Sequence, residues 1–246
     1  MNPTTIAALT LLIFFAALLY SSVGHAGASG YLAAMGLFGL APAVMRPTAL
    51  LLNILVASVA TFKFYRAGHF VWRLFWPFAL GSVPLAFLGG KTRLPDVYYK
   101  YLVGAALLYS AYRFIRNPNI GDETTHKAPA IWPMLFFGAM LGLLAGLTGV
   151  GGGIFLSPIM LFMGWAATRQ VSAIAAAFIL VNSIAGFVGV LSQTSNLPKP
   201  IPFFAIAAVI GGFIGAEYGS RHIAGANLKR LLAAVLIVAG IKMMLA

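Results

Sequence analysis

Ten apolar runs, parted by charge clusters and by Pro/Gly breaks, constrain this chain more than any other feature. They lie at roughly 4–22, 27–41, 43–65, 74–90, 98–115, 130–148, 152–165, 167–192, 201–220 and 227–246. About 20 apolar residues in a helix cross the hydrocarbon core, so there is material for roughly eight to ten crossings and no separate soluble domain. Only 8% of the residues are charged, against about 25% in soluble domains. So little charge cannot cover a water-facing surface, and the expected fold is an all-α, polytopic membrane protein. Thr5 to Tyr20, with no Lys or Arg before it, reads as a first membrane helix rather than a cleaved signal.

The 16 basic residues against 4 acids give a net charge of +12. They are scattered between apolar runs instead of gathered on one face, which argues against nucleic acid as a partner. Short cationic loops retained on the cytoplasmic side account for them better. There is no cysteine, so thiol catalysis and thiolate metal sites are excluded, and no cofactor is expected. Trp72, Trp76, Trp132, Trp165 and the tyrosines around Lys100 read as interfacial belt residues.

The chain reads twice. A polar linker, residues 116–129 (RNPNIGDETTHKAP), separates a first repeat, 1–115, from a second, 130–246. At an offset of 125, Gly24 and Gly27 fall on Gly149 and Gly152, Ile54-Leu55-Val56 on Ile179-Leu180-Val181, and Pro77-Phe78 on Pro202-Phe203. Near the end of each half the offset grows to 129, where Lys100 and Arg113 meet Lys229 and Lys242. Each repeat is expected to hold four long helices and one short broken helix. If the short runs complete a crossing, the halves are inverted and ten of the 16 cations share one side. If they turn back, the two sides carry eight each. The cation bias favours the inverted arrangement, with the termini outside. Paired repeats are how many secondary transporters build alternating access around a central site.

The second short run opens with GLTGVGGGIFLSPI, residues 146–159. It is not a nucleotide loop, because no Lys-Ser/Thr follows the last glycine and no βαβ unit surrounds it. Gly149, Gly151, Gly152 and Gly153, with Pro158 soon after, disfavour a regular helix. The helix from Ala130 should stop near Thr148, and a short one should start near Ile154. Gly24-His25-Ala26-Gly27-Ala28 repeats the pattern in the first half. Irregular backbone at membrane depth is tolerated only where protein or a watery cavity satisfies it. Two facing breaks would offer free N–H groups and the positive ends of short helices to an anion. Close helix packing is the other reading of the same glycines.

The candidate substrate residues are therefore Ser22, Gly24, His25, Gly27, Ser29 and Gly30 in the first half. Thr148, Gly149, Gly151, Gly152, Gly153 and Ser157 match them in the second. Asn53, Asn182 and Ser183 lie inside apolar helices, where amides and hydroxyls bond a neighbouring helix or a passing substrate. Arg46 and Arg169 open the long third helix of each half, either drawing anions in or anchoring a loop. Arg169 has the stronger claim to the first role. Glu217 is the one acid clearly within a membrane run, hence a proton-coupling candidate, although Arg221 follows at ion-pair spacing. His25 titrates near neutral pH and is the second coupling candidate.

GLTGVGGGIFLSPIM, its degenerate echo SVGHAGASGYLAAM, and the two-half layout resemble the sulfite exporter TauE/SafE family over nearly the whole chain. The resemblance implies a multi-pass, bacterial-type inner-membrane carrier of small anions, chiefly sulfur-containing ones such as sulfite, thiosulfate or organosulfonates. Protons as a second partner and a homo-oligomer remain open. Ala26, Ala28 and Ala33 stand where Gly151, Gly153 and Pro158 stand, so the halves need not grip substrate alike.

A passive anion channel and a carrier of small carboxylates are alternatives. Gly27-Ala28-Ser29-Gly30 also matches the GxSG nucleophile motif of rhomboid proteases. That reading lacks a base within reach of the serine, and no enzyme activity is expected.

Overall fold

The computed structural model describes residues 2–116, 130–192 and 197–221, and of the C-terminal stretch residues 233, 236–238, 240–242 and 244–245. The polar linker beyond Arg116 lies outside the described residues. Among them every regular element is helical. The helices are α1 (Pro3–Ser21), α2 (Ala28–Leu37), α3 (Pro42–Arg66), α4 (Trp72–Lys91), α5 (Asp96–Arg116), α6 (Ile131–Thr148), α7 (Gly153–Phe162), α8 (Thr168–Leu191) and α9 (Ile201–Arg221). Helices α1, α3, α6, α8 and α9 are long and apolar enough to cross a membrane. Helices α4 and α5 match them in length, and carry Arg73 in one and Asp96 and Lys100 in the other.

The two short helices are shorter than their apolar runs suggest. Each has 10 residues, about 15 Å of helix. Each stops because a glycine takes a left-handed turn. Gly39 (φ +70°) and Gly164 (φ +66°) sit at the ends of α2 and α7. The same pair of backbone bonds closes both ends: Leu40 N–H to Met35 O and Gly39 N–H to Gly36 O, then Trp165 N–H to Met160 O and Gly164 N–H to Leu161 O. This is the usual wrapped-up end of a helix.

Helix α4 packs on α6 and α8, and α9 packs on α1 and α3, while α3 and α8 cross at the centre. Small residues make these crossings close. Gly138, Gly142 and Gly146 on α6 lie against the carbonyls of Phe78, Ser82 and Ala86 on α4. Gly211, Gly215 and Gly219 on α9 lie against those of Phe14, Leu18 and Ser22 on α1. In both seams the glycines come every fourth residue, so they line one stripe of the helix and let backbones touch. Residues of the C-terminal stretch close on α5, where Gly240 meets Leu108 and Met244 meets Gly104. Large side chains such as Leu11, Phe15, Trp132, Phe136 and Phe203 face outward, as a lipid-facing surface requires.

Candidate functional site

Both predicted interruptions are present. Helix α1 ends at Ser21 and α2 begins at Ala28, while α6 ends at Thr148 and α7 begins at Gly153. Gly24 (φ +77°), Gly27 (+107°), Gly149 (+81°), Gly151 (+82°) and Gly152 (+79°) hold the chain in left-handed turns between them. Residues with a Cβ rarely adopt this backbone, which is why the segments are so rich in glycine.

His25 joins the two breaks. Its Nδ1 faces Val23 O at 3.1 Å, and its Nε2 faces Gly153 O at 3.2 Å and Ser157 Oγ at 3.1 Å. The Ser157 hydroxyl also lies 3.0 Å from Gly153 O. That set suits both protonation states of the ring. A neutral ring donates from Nδ1 to Val23 and accepts the Ser157 hydroxyl at Nε2. A charged ring donates from both nitrogens, and the Ser157 hydroxyl turns to Gly153 O. Ser172 on α8 donates to Val23 O at 3.1 Å and fixes the other side of the turn.

Two residues converge on Gly151 from α3 and α8. A methyl group placed there would meet Asn53 Nδ2 at 2.9 Å, Ser183 Oγ at 3.2 Å and Ile179 Cγ2 at 2.8 Å. Asn53, Asn182 and Ser183 have no exposed surface. Asn53 donates to Gly149 O at 3.5 Å, and Asn182 donates to Phe178 O one turn back in its own helix at 2.9 Å. Asn53 Oδ1, Asn182 Oδ1 and Ser183 Oγ have no hydrogen-bond partner.

The end of α6 and the start of α7 are treated differently. The closing carbonyls of α6 would make a negative pole, and two of them are given side-chain donors. Arg46 Nε and Nη2 donate to Gly146 O at 2.9 and 2.6 Å, and the Tyr99 hydroxyl donates to Thr148 O at 3.1 Å. Arg46 also donates to Gly89 O and, at 3.0 Å, to Thr92 O at the end of α4. At the start of α7, the first intrahelical bonds run from Phe155 and Leu156 to Gly152 O. The N–H groups of Gly153 and Ile154 come before the first donor, Phe155, and have no helical carbonyl to meet. The positive pole of α7 is thus left uncovered beside Gly151 and His25.

Other sequence-predicted residues are turned to packing. Gly24 lies against the Ser172 backbone, Gly27 against the Tyr31 ring and Gly30 against Ala16, with no room for a side chain. The Tyr31 hydroxyl donates to Ala26 O at 2.5 Å, so this side chain fills the first break. Ser22 and Thr148 hydroxyls bond carbonyls of their own helices, and Ser29 Oγ lies 3.5 Å from Ser110 Oγ. Gly152 packs on Phe178. Arg169 is exposed at the start of α8, donating to Arg221 O at 3.5 Å.

Arg46 is neither loop anchor nor exposed cation: it is buried and holds three carbonyls. Glu217 pairs with Arg221 at 2.7 Å, as its spacing suggested, and also with Lys63 of α3 at 2.5 Å. Tyr99, Ser172 and Tyr31 were not legible as parts of this centre. The four-residue glycine spacing could have marked the seams that carry it.

A model of the sulfite exporter TauE/SafE family matches residues 9–243. The chain belongs to the TauE/SafE family. Similar proteins include probable membrane transporter protein y4hK of Sinorhizobium fredii, 38% identical over 96% of this chain and 97% of that one. Probable membrane transporter protein MJ0441 of Methanocaldococcus jannaschii is 24% identical over 80% of this chain and 78% of its own length. No solved structure matches. As a TauE/SafE protein with five long apolar helices, it is a multi-pass membrane protein of a transporter type. The two breaks are therefore features of a transporter's interior.

Proposed function

We propose that this protein is a secondary transporter of small anions, most of all sulfur oxyanions such as sulfite, thiosulfate or organosulfonates. The anion lies at Gly151, between Asn53 of α3, Ser183 of α8 and the opening N–H groups of Gly153 and Ile154. One observation carries the reading: the closing carbonyls of Ala145, Gly146 and Thr148 at the α6 end have donors, whereas the opening N–H groups of α7 beside His25 have no helical acceptor. That asymmetry favours a guest with negative charge. The matched family's description as a sulfite exporter supports this class of cargo, and the two relatives' names support membrane transport.

Alternating access is supported by likeness between the halves. The positive-φ glycines Gly24, Gly27 and Gly39 stand 125 residues before Gly149, Gly152 and Gly164, and the packing partners of α4 and α9 exchange when the halves are swapped. Rocking of one repeat against the other about the α3–α8 crossing would open the site to each side in turn, with inverted repeats giving the two openings the same form. His25 is the coupling group, because its neighbours accept either protonation state, and Glu217 belongs to the Lys63–Glu217–Arg221 ion pair. The inner membrane of a bacterial-type cell is the expected location.

Reconstitution into proteoliposomes tests the reading. Labelled sulfite uptake should saturate, show counterflow and respond to a pH gradient. Flux that never saturates and shows no counterflow would identify a passive channel instead. Saturable flux of small carboxylates with none of sulfur oxyanions would move the substrate class.

A further inference from the structure

The amide orientation at Asn53 is fixed by its partner. A backbone carbonyl can only accept, so Nδ2 must face Gly149 O and Oδ1 must point elsewhere. That Oδ1 has no partner, and neither does Ser183 Oγ, although both residues are wholly buried. Both side chains stand around Gly151. An isolated buried acceptor is costly and is seldom kept without a use. An anion that only accepts hydrogen bonds would satisfy the N–H and O–H groups here and leave the Asn53 oxygen alone.

We propose that the site selects an oxyanion that carries its own hydrogen-bond donor next to the charge. Asn53 Oδ1 accepts from that donor, with the Ser183 hydroxyl also at Gly151, while the α7 N–H groups hold the charged oxygens. The donor could be the acid O–H of a singly protonated oxyanion, an alcohol, or an ammonium group on the same molecule. A site that hydrogen-bonds such a group rejects the analogue lacking it, because its own polar atoms are then left unpaired. This rests on the anion-binding reading above and deepens it.

Three sulfonates of one carbon skeleton separate the possibilities: ethanesulfonate, with no donor, 2-hydroxyethanesulfonate and 2-aminoethanesulfonate. Their affinities for the purified full-length protein are measured by titration calorimetry, with sulfite titrated alongside at acid and alkaline pH. The hydroxy or amino compound should bind about tenfold or more tighter than ethanesulfonate, and sulfite should bind better where it is singly protonated. Which of the two substituted sulfonates gains names the donor. The preference should shrink toward one in Ser183→Ala and in Asn53→Leu. The wild-type comparison stands even if a variant does not fold. Equal affinity for all three sulfonates, with sulfite indifferent to its own protonation, would overturn the donor requirement and leave the anion site standing. Failure of all four anions to bind would overturn the site itself.

Discussion

His25 Nε2 lies 3.2 Å from the carbonyl oxygen of Gly153, a residue 128 positions further along the chain. One side chain thus bridges the interruption in the first half to the short helix of the second. The coupling role predicts that His25→Gln inserts normally and still moves anion, but with flux flat across about pH 5–8, where histidine titrates. His25→Ala should lower flux at every pH. Proteoliposome uptake against pH separates these outcomes, and a wild-type profile in the Gln variant would remove His25 from coupling.

Arg46 and Arg169 should behave as opposites. Arg46 makes charged hydrogen bonds to carbonyls of both α4 and α6, each worth about 1.5–3 kcal/mol. Arg46→Ala leaves those carbonyls unpaired and should lower the yield and melting temperature of purified protein sharply. Arg46→Lys should rescue little, since one ammonium cannot span the fork of acceptors. Arg169→Ala should leave stability intact and slow uptake only at low salt, because an exposed cation acts through a screened field.

Glu217 is held between Lys63 and Arg221. Glu217→Gln should lower the melting temperature modestly, since partly exposed pairs contribute little. The response of uptake to a pH gradient should persist. Loss of that response with stability unchanged would show that the carboxylate carries protons.

The glycine seams give a test of the two-half architecture. Gly142 on α6 touches Ser82 O of α4, and Gly215 on α9 touches Leu18 O of α1. Gly142→Val and Gly215→Val should each disrupt assembly, to a similar degree, because each forces apart backbones that now touch. A severe loss from one and none from the other would show that the seams do unequal work.

Much of the fold was legible because a membrane imposes length and polarity on each helix. The run 130–148 predicted α6 nearly to the residue, and the glycines of 149–153 placed its end correctly. The early stop of α2 was missed, because Phe38 and Leu40 keep the run apolar while Gly39 alone turns the chain. Asn53 and Ser183 were visible as polar residues in apolar surroundings. Their meeting at Gly151 was not, since it depends on how α3 and α8 cross. Arg46 was misjudged for a related reason: a cation near the start of a helix reads as interfacial, whereas packing carries it to the carbonyl ends of two other helices.

The most direct measurement compares labelled sulfite uptake by Gly151→Ala and Gly164→Ala in proteoliposomes. Both glycines have positive φ, but only Gly151 has Asn53, Ile179 and Ser183 within reach of an added methyl, while Gly164 has open space. The left-handed backbone costs each variant about 1–2 kcal/mol, so any common loss of stability is controlled. Uptake should fall more than about tenfold in Gly151→Ala, one power of ten per 1.4 kcal/mol of lost binding, and stay near wild type in Gly164→Ala. Equal, near-normal uptake by both folded variants would contradict an anion site at Gly151.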